Sequence, residues 1–319
     1  MGVKKINGIE DFINKFVKAR GGDSTGFDAA EPPPGPTFAY YYPYGDPEAR
    51  TNLEIGIDDF NVKVAGDYIL VMVQTKSNIN TLGWGAGGQR YSDPHSYGGG
   101  GGAWDGTMTF SSGSTYRIIV GGSGPNGPPA TYNASPFGGG GSSPSAAGGG
   151  AGGGYSGIFE TSTLSQANAR LMAGGGGGAS GTDGGHNSTT GGYGGYPSGG
   201  GSDGGGGTQS GGGGGGSPGG TSGSALQGGT GGTRGVNEGS GGGGGGGYFG
   251  GGGGGKGGAG SHGQSGKAGG GGSGYKHPTI TATMYDGSGT TGGNPSSPYK
   301  GTDVGDTQDP GRVVILFSA

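Results

Sequence analysis

Residues 241–256 read GGGGGGGYFGGGGGGK. Two runs of bare backbone flank one aromatic pair, Tyr248-Phe249, and similar runs recur from Gly83 onward, so that 99 of the 319 residues are glycine. Collagen needs glycine strictly at every third position with abundant proline between. Here the glycines are consecutive and prolines number only 18, which excludes it. Silk-like stacking is disfavoured because the runs lack side chains to interdigitate. The remaining ordered form is a left-handed helix of polyproline-II geometry, with three residues per turn and no internal hydrogen bonds. Its N–H and C=O groups point outward and must pair with neighbours when buried. Gly241–Gly247 would then span roughly 22 Å at about 3.1 Å per residue.

Such a structure is expensive to order. Each fixed backbone residue costs about 1–2 kcal/mol, glycine most of all, and glycine buries almost no apolar side chain in return. Many peptide hydrogen bonds and an apolar frame must offset that cost. Strand-like segments that could build the frame flank the glycine region: Val62–Val73, Thr107–Phe110, Tyr116–Val120, Ile158-Phe159, Arg170–Ala173, Thr279–Tyr285 and Val313–Phe317. The second and third read as a hairpin across Ser111–Ser114, and the first and last are expected to meet. The expected fold is mostly β, a strand frame enclosing a bundle of glycine helices, with a short N-terminal α-helix.

That helix is predicted over residues 6–20. Ile6, Ile9, Phe12, Ile13, Phe16 and Val17 recur at helical spacing, and Gly21-Gly22 supply a stop. Its apolar stripe suits packing on the chain's own body or docking on a larger assembly. Docking is favoured, because a Gly/Pro linker separates it from the rest. Glu31–Pro36 is a stiff spacer. Phe38, Tyr40, Tyr41, Tyr42 and Tyr44 follow, as an interface or packing collar. Residues 1–60 are therefore expected to be an attachment segment and residues 61–319 the glycine-rich domain.

The net charge of -4 gives no basic footprint for nucleic acid. Cysteine is absent, so neither disulfides nor thiolate metal sites contribute. No apolar stretch is long enough to cross a membrane. Residues 1–8 lack the apolar core of a signal peptide, which points to a non-secretory route such as release inside a virus particle.

The strings RLMAGGGGGA (170–179), GGGGTQSGGGGGG (204–216), GGGGGGGYFGGGGGGKGGAG (241–260), YRIIVGG (116–122) and PGRVVILF (310–317) resemble a known family. It is the glycine-rich domain of anaplastic-lymphoma-kinase-type receptor ectodomains and of many bacterial and phage proteins. The resemblance covers roughly residues 62–319. It implies strands combined with polyglycine-II helices, and says little of function. The chain lacks the cysteines, signal peptide and kinase of the receptors. In that respect it is more similar to phage adhesins that cap a tail fibre, which have an N-terminal attachment segment and connecting loops that touch the host surface. The resemblance does not extend to the first 60 residues.

Sites for chemistry are scarce. Gly250–Lys256 fits the glycine and lysine spacing of a phosphate loop, but Gly257 stands where a Ser or Thr would bind magnesium. His95, His186, His262 and His277 lack metal-ligand spacing. Asp303, Asp306 and Asp309 are not spaced as an EF-hand, and a calcium contact there is left open. No nucleophile, base and orienting residue stand together. A non-enzyme without a cofactor is expected.

The segments between runs are rich in Tyr, Ser, Gly and Asn, the composition of antibody binding loops. Tyr97, Tyr132, Phe137, His186, Tyr193 and Tyr196 are the candidate receptor contacts. Tyr248 and Phe249 read as core instead. The expectation is a virion surface protein, a tail-fibre tip or related adhesin. It would attach to other virion proteins through residues 1–60 and bind a host glycan or outer-membrane protein through its loops. A homotrimer is one arrangement open to it. A decoration or head-fibre protein without a receptor is the alternative. An ice-binding protein is a lesser one, opposed by the irregular run lengths.

Overall fold

A computed structural model describes residues 37–54, 58–90, 96–123, 135–144, 149–181, 189–235, 238–258 and 264–317. The predicted N-terminal helix, with Ile6, Ile9, Phe12, Ile13, Phe16 and Val17, lies outside them.

The described chain is mostly β. Twelve strands follow in order: β1 (Thr37–Pro43), β2 (Thr51–Glu54), β3 (Phe60–Val62), β4 (Gly66–Met72), β5 (Lys76–Trp84), β6 (Ala103–Phe110), β7 (Thr115–Val120), β8 (Ser156–Glu160), β9 (Ala169–Ala173), β10 (Tyr275–Lys276), β11 (Thr281–Tyr285) and β12 (Arg312–Leu316). They form two antiparallel sheets, ordered β10-β9-β8-β7-β4-β1-β2 and β11-β6-β5-β12-β3. Among the described residues, helix is confined to a 3-10 turn at Gln166–Asn168.

Strand alternation places the core. Tyr68, Leu70 and Met72 on β4, and Tyr116, Ile118 and Val120 on β7, face Trp104, Phe110, Val313 and Ile315 of the other sheet. Aromatic contacts close one end of this core: Phe317 lies 4.8 Å from Phe38 and 5.5 Å from Phe110 between ring centroids.

Three expectations are corrected. The segment from Val62 to Val73 is two strands, because the chain bends at Val64, whose carbonyl accepts the Tyr68 hydroxyl (3.0 Å). Phe60–Val62 pairs with β12, while Gly66–Met72 joins the other sheet. Nor do β6 and β7 form a hairpin. The Ser111–Ser114 turn, with Gly113 at φ +75°, carries the chain from one sheet to the other. Finally, the aromatic run assigned to the attachment segment is β1, paired with β2 and β4. Phe38 is fully buried in the core. The β-propensity of its four aromatics overrides the proximity of the proline spacer.

The glycine runs extend from one end of both sheets, leaving β5, β7 and β9 and re-entering at β6, β8 and β10. Their backbones are cross-linked. In Gly241–Gly246 successive amides donate to the carbonyls of Gly232, Lys267 and Gly150, then Gly229, Gly270 and Gly153, at 2.8–2.9 Å. Partners thus repeat every three residues, rising by three along two of the neighbours and falling by three along the third, which runs the opposite way. The carbonyls of residues 242–246 accept from Gly254, Gly178, Gly141, Gly251 and Gly175, three further neighbours. The same period governs residues 175–181. There, Gly175, Gly178 and Gly181 donate to Gly246, Gly243 and Ser240, and Gly176 and Ala179 to Ala86 and Gln89.

At most interior glycines this spacing leaves no room for a side chain. A Cβ at Gly245 would sit 2.1 Å from the Gly175 carbonyl oxygen. At Gly211 and Gly214, on the outermost run, an added Cβ would meet nothing within 4 Å.

Candidate binding surface

The seven-stranded sheet ends at β10, and there the glycine runs deliver a group of aromatic rings. Tyr275 opens β10, opposite Met172 on β9. Tyr248 interrupts the run described above, and its amide donates to the Ser273 carbonyl (2.9 Å). The two rings stack at 4.2 Å with an 8° interplanar angle. Phe249 meets Tyr248 edge-on at 5.6 Å. Beneath them Ile119, Tyr155, Phe159, Ala169 and Met172 form a separate apolar cluster, on which Leu164, Leu226, Tyr248 and Tyr275 pack.

Side-chain hydrogen bonds tie together the backbone around this group. The Gln166 side chain donates to the Tyr248 carbonyl. Gln209 Nε2 donates to the carbonyls of Pro197 (2.9 Å) and Gly274 (2.7 Å). Ser273 Oγ donates to the Thr208 carbonyl (2.9 Å).

Tyr193 and Tyr196 arrive on the neighbouring run. The Tyr193 ring lies on Gly200, where a Cβ would come within 2.7 Å of it, and Gly200 donates to the Tyr193 carbonyl (2.6 Å). The Tyr196 amide donates to Asp286 Oδ1 (2.8 Å). Burial pushes the Tyr275 phenol up. The nearby Tyr248 adds to the shift, the Arg170 guanidinium opposes it, and Tyr196 raises it further. Tyr248, stacked on it, Arg170 and Tyr196 are thus the ionisable neighbours of Tyr275, and Arg170 is ion-paired with Glu160. All four tyrosine and arginine residues are partly solvent-accessible.

The remaining sequence candidates are dispersed. Tyr97 stands at the other end of the Gly98–Gly102 run from β6, and its carbonyl accepts from Gly191 (3.0 Å). Phe137 is exposed beside Gly122, which donates to its carbonyl (2.9 Å). Tyr132 and His186 lie outside the described residues. Of the predicted contacts, then, only Tyr196 lies beside the group formed by Tyr248, Phe249 and Tyr275, while the Tyr193 ring packs on Gly200. Tyr248 and Phe249 are half-buried rather than enclosed. Their signal in the sequence is an aromatic residue placed where a glycine run ends.

A second polar group lies in the 300–309 loop. Asp306 Oδ1 accepts from Lys300 Nζ (2.9 Å) and from the Gly292 amide (2.7 Å). Lys63 Nζ stands 4.0 Å from Asp303 Oδ2. Burial, with Asp303 and Asp306 nearby, pushes the Asp309 carboxyl up to about 6, against the pull of Lys63 and Lys300. Among the described residues no group of three His, Asp or Glu side chains is placed to hold a metal ion. No described helix is long and apolar enough to cross a membrane.

Compared with known proteins, the chain matches no family model and no curated protein.

Proposed function

We propose that the chain is a virion surface protein of the fibre-adhesin type, in which polyglycine-II helices form a rigid bundle that presents receptor-binding residues. The three-residue repeat of hydrogen-bond partners, with neighbours on six sides, supports the helical reading, since a threefold helix directs its peptide groups outward at that period. The observation that carries the functional reading is the separation of the two ends. The N-terminal segment enters at β1. The aromatic group sits at β10, five strands away in the same sheet, about 24 Å at the usual strand spacing. On this reading the segment preceding β1 is the attachment point and the aromatic group at β10 the recognition surface. Rigid Tyr-rich surfaces held on a stiff scaffold suit recognition.

Two measurements test this. Gold-labelled antibody against residues 61–319 should decorate the end of an appendage on intact particles, and deletion of residues 2–36 should remove the label. Label over the capsid or neck would favour a decoration protein. Retention of the truncated chain would sink attachment through the N-terminal segment. Purified full-length protein should also compete with particles for adsorption to host cells.

A further inference from the structure

We propose that the surface formed by Tyr196, Tyr248 and Tyr275, with Arg170 and Glu160 at its margin, binds a neutral pyranose sugar. The proposal deepens the adhesin reading by naming its ligand class, and rests on that reading only for the glycan's source.

Three features select a sugar. Tyrosine rings offer apolar faces, on which the C–H face of a pyranose packs, and hydroxyls at the rim for its polar edge. The Tyr248–Tyr275 stack is nearly parallel, and the surrounding amides of Gln166 and Gln209 are already engaged with backbone carbonyls. The platform is therefore preorganised and loses little side-chain freedom on binding. Charge is the second feature. Arg170 and Glu160 neutralise each other, the Asp286 carboxylate accepts from the Tyr196 amide and Lys276 Nζ donates to the Ala282 carbonyl, so the surface presents no unengaged cation to an acidic ligand. A guanidinium and a carboxylate side by side nevertheless supply planar donors and acceptors for vicinal hydroxyls. The third feature is the sheet edge. β10 is only two residues long, too short for an extended peptide to add as a strand and gain a ladder of main-chain bonds.

The test uses the full chain. Immobilised protein is screened on a glycan array, and hits are confirmed by NMR titration with glucose, galactose, mannose and N-acetylglucosamine. Saccharide binding is expected to shift the tyrosine ring signals of this surface. Tyr275→Ala and, separately, Tyr196→Ala should each weaken it by about tenfold, as loss of an aromatic anchor does. Tyr275→Phe should keep most of the affinity. Circular dichroism confirms that each variant is folded, and Tyr196→Ala serves if Tyr275→Ala is not. No saccharide hit, or hits unaffected in both alanine variants, would overturn the proposal. So would binding only to host proteins stripped of glycan, although the adhesin reading would survive that result. Sugar binding at this surface by a protein absent from particles would uphold the site and defeat the adhesin reading.

Discussion

The amide of Gly245 donates to the carbonyl of Gly270 at 2.8 Å. Their runs belong to different parts of the chain, and each peptide group in the pair is fixed by a partner that no local rule would supply. The interior of the array is held mainly by such bonds, with a few buried side chains, Ser143, Ser240 and Gln89, bonding to its backbone. Each is worth about 0.5–1.5 kcal/mol net. Substitution should therefore act through backbone displacement.

Gly245→Ala places a methyl 2.1 Å from the Gly175 carbonyl oxygen. Backbone, unlike a side-chain tip, cannot swing aside. The expected loss is about 3 kcal/mol or more, read as a lowered denaturant midpoint. Gly214→Ala is the control. Nothing lies within 4 Å of that position, and the stiffer unfolded chain should leave stability unchanged or raised by about 0.5 kcal/mol. Equal losses at both positions would contradict the packing.

Asp309 predicts a pH effect of defined sign. Its carboxyl is raised from an ordinary 3.8 to about 6 by burial and by Asp303 and Asp306. The folded chain then holds this proton more tightly than the unfolded one. The contribution is fully present below 3.8 and is lost as pH rises to about 6. Asp309→Asn should raise stability near neutral pH by roughly 1 kcal/mol, a figure already reduced for solvent screening. It should also flatten the profile across that window. Thermal melts from acid to neutral pH decide it.

Arg117 ties two strands of the seven-stranded sheet. It donates to Asp67 on β4 through Nε (2.9 Å) and Nη2 (2.5 Å), and its guanidinium lies 4.1 Å from the Tyr44 ring centroid. Both partners are largely buried. Arg117→Met leaves the Asp67 carboxylate uncompensated and should cost about 3 kcal/mol. The double variant with Asp67→Asn should cost less than the sum of the single changes. Additive losses in that cycle would mean the pair contributes no coupling.

Truncation separates the segment before β1 from the fold. Removal of residues 2–36 leaves every described strand intact and should preserve the thermal transition. Removal of residues 2–60 deletes β1 and β2 and takes Phe38, Leu53 and Phe60 from the core. That chain should be insoluble or lose its cooperative transition.

Much of the strand content was legible in local pattern. Tyr116–Val120 and Val313–Phe317 show it in their runs of β-branched and apolar residues, and each lies in or overlaps a strand of the fold. The pairing was not legible. Ser111–Ser114 looks like a hairpin turn because turn chemistry is local, whereas the choice of sheet depends on whether Phe110 and Tyr116 can pack across the core, as they do at 4.9 Å. For the proposed binding surface, Tyr196 stood out as an aromatic among small polar residues. Tyr275 did not, because nothing near it in the chain reveals that Tyr248 will stack on it.

Composition alone settled that this chain carries no cysteine chemistry and that its glycine stretches must satisfy their peptide groups by some means other than side-chain burial. Periodicity alone settled that apolar strands border those stretches. Only the tertiary structure decided which run bonds to which, which strands share a sheet, and which aromatic rings meet at β10. The reason is physical. Consecutive glycines are identical in everything but position, so neither propensity nor pattern can tell one run from the next, and partner choice falls to the long-range geometry set by the strands that hold the run ends.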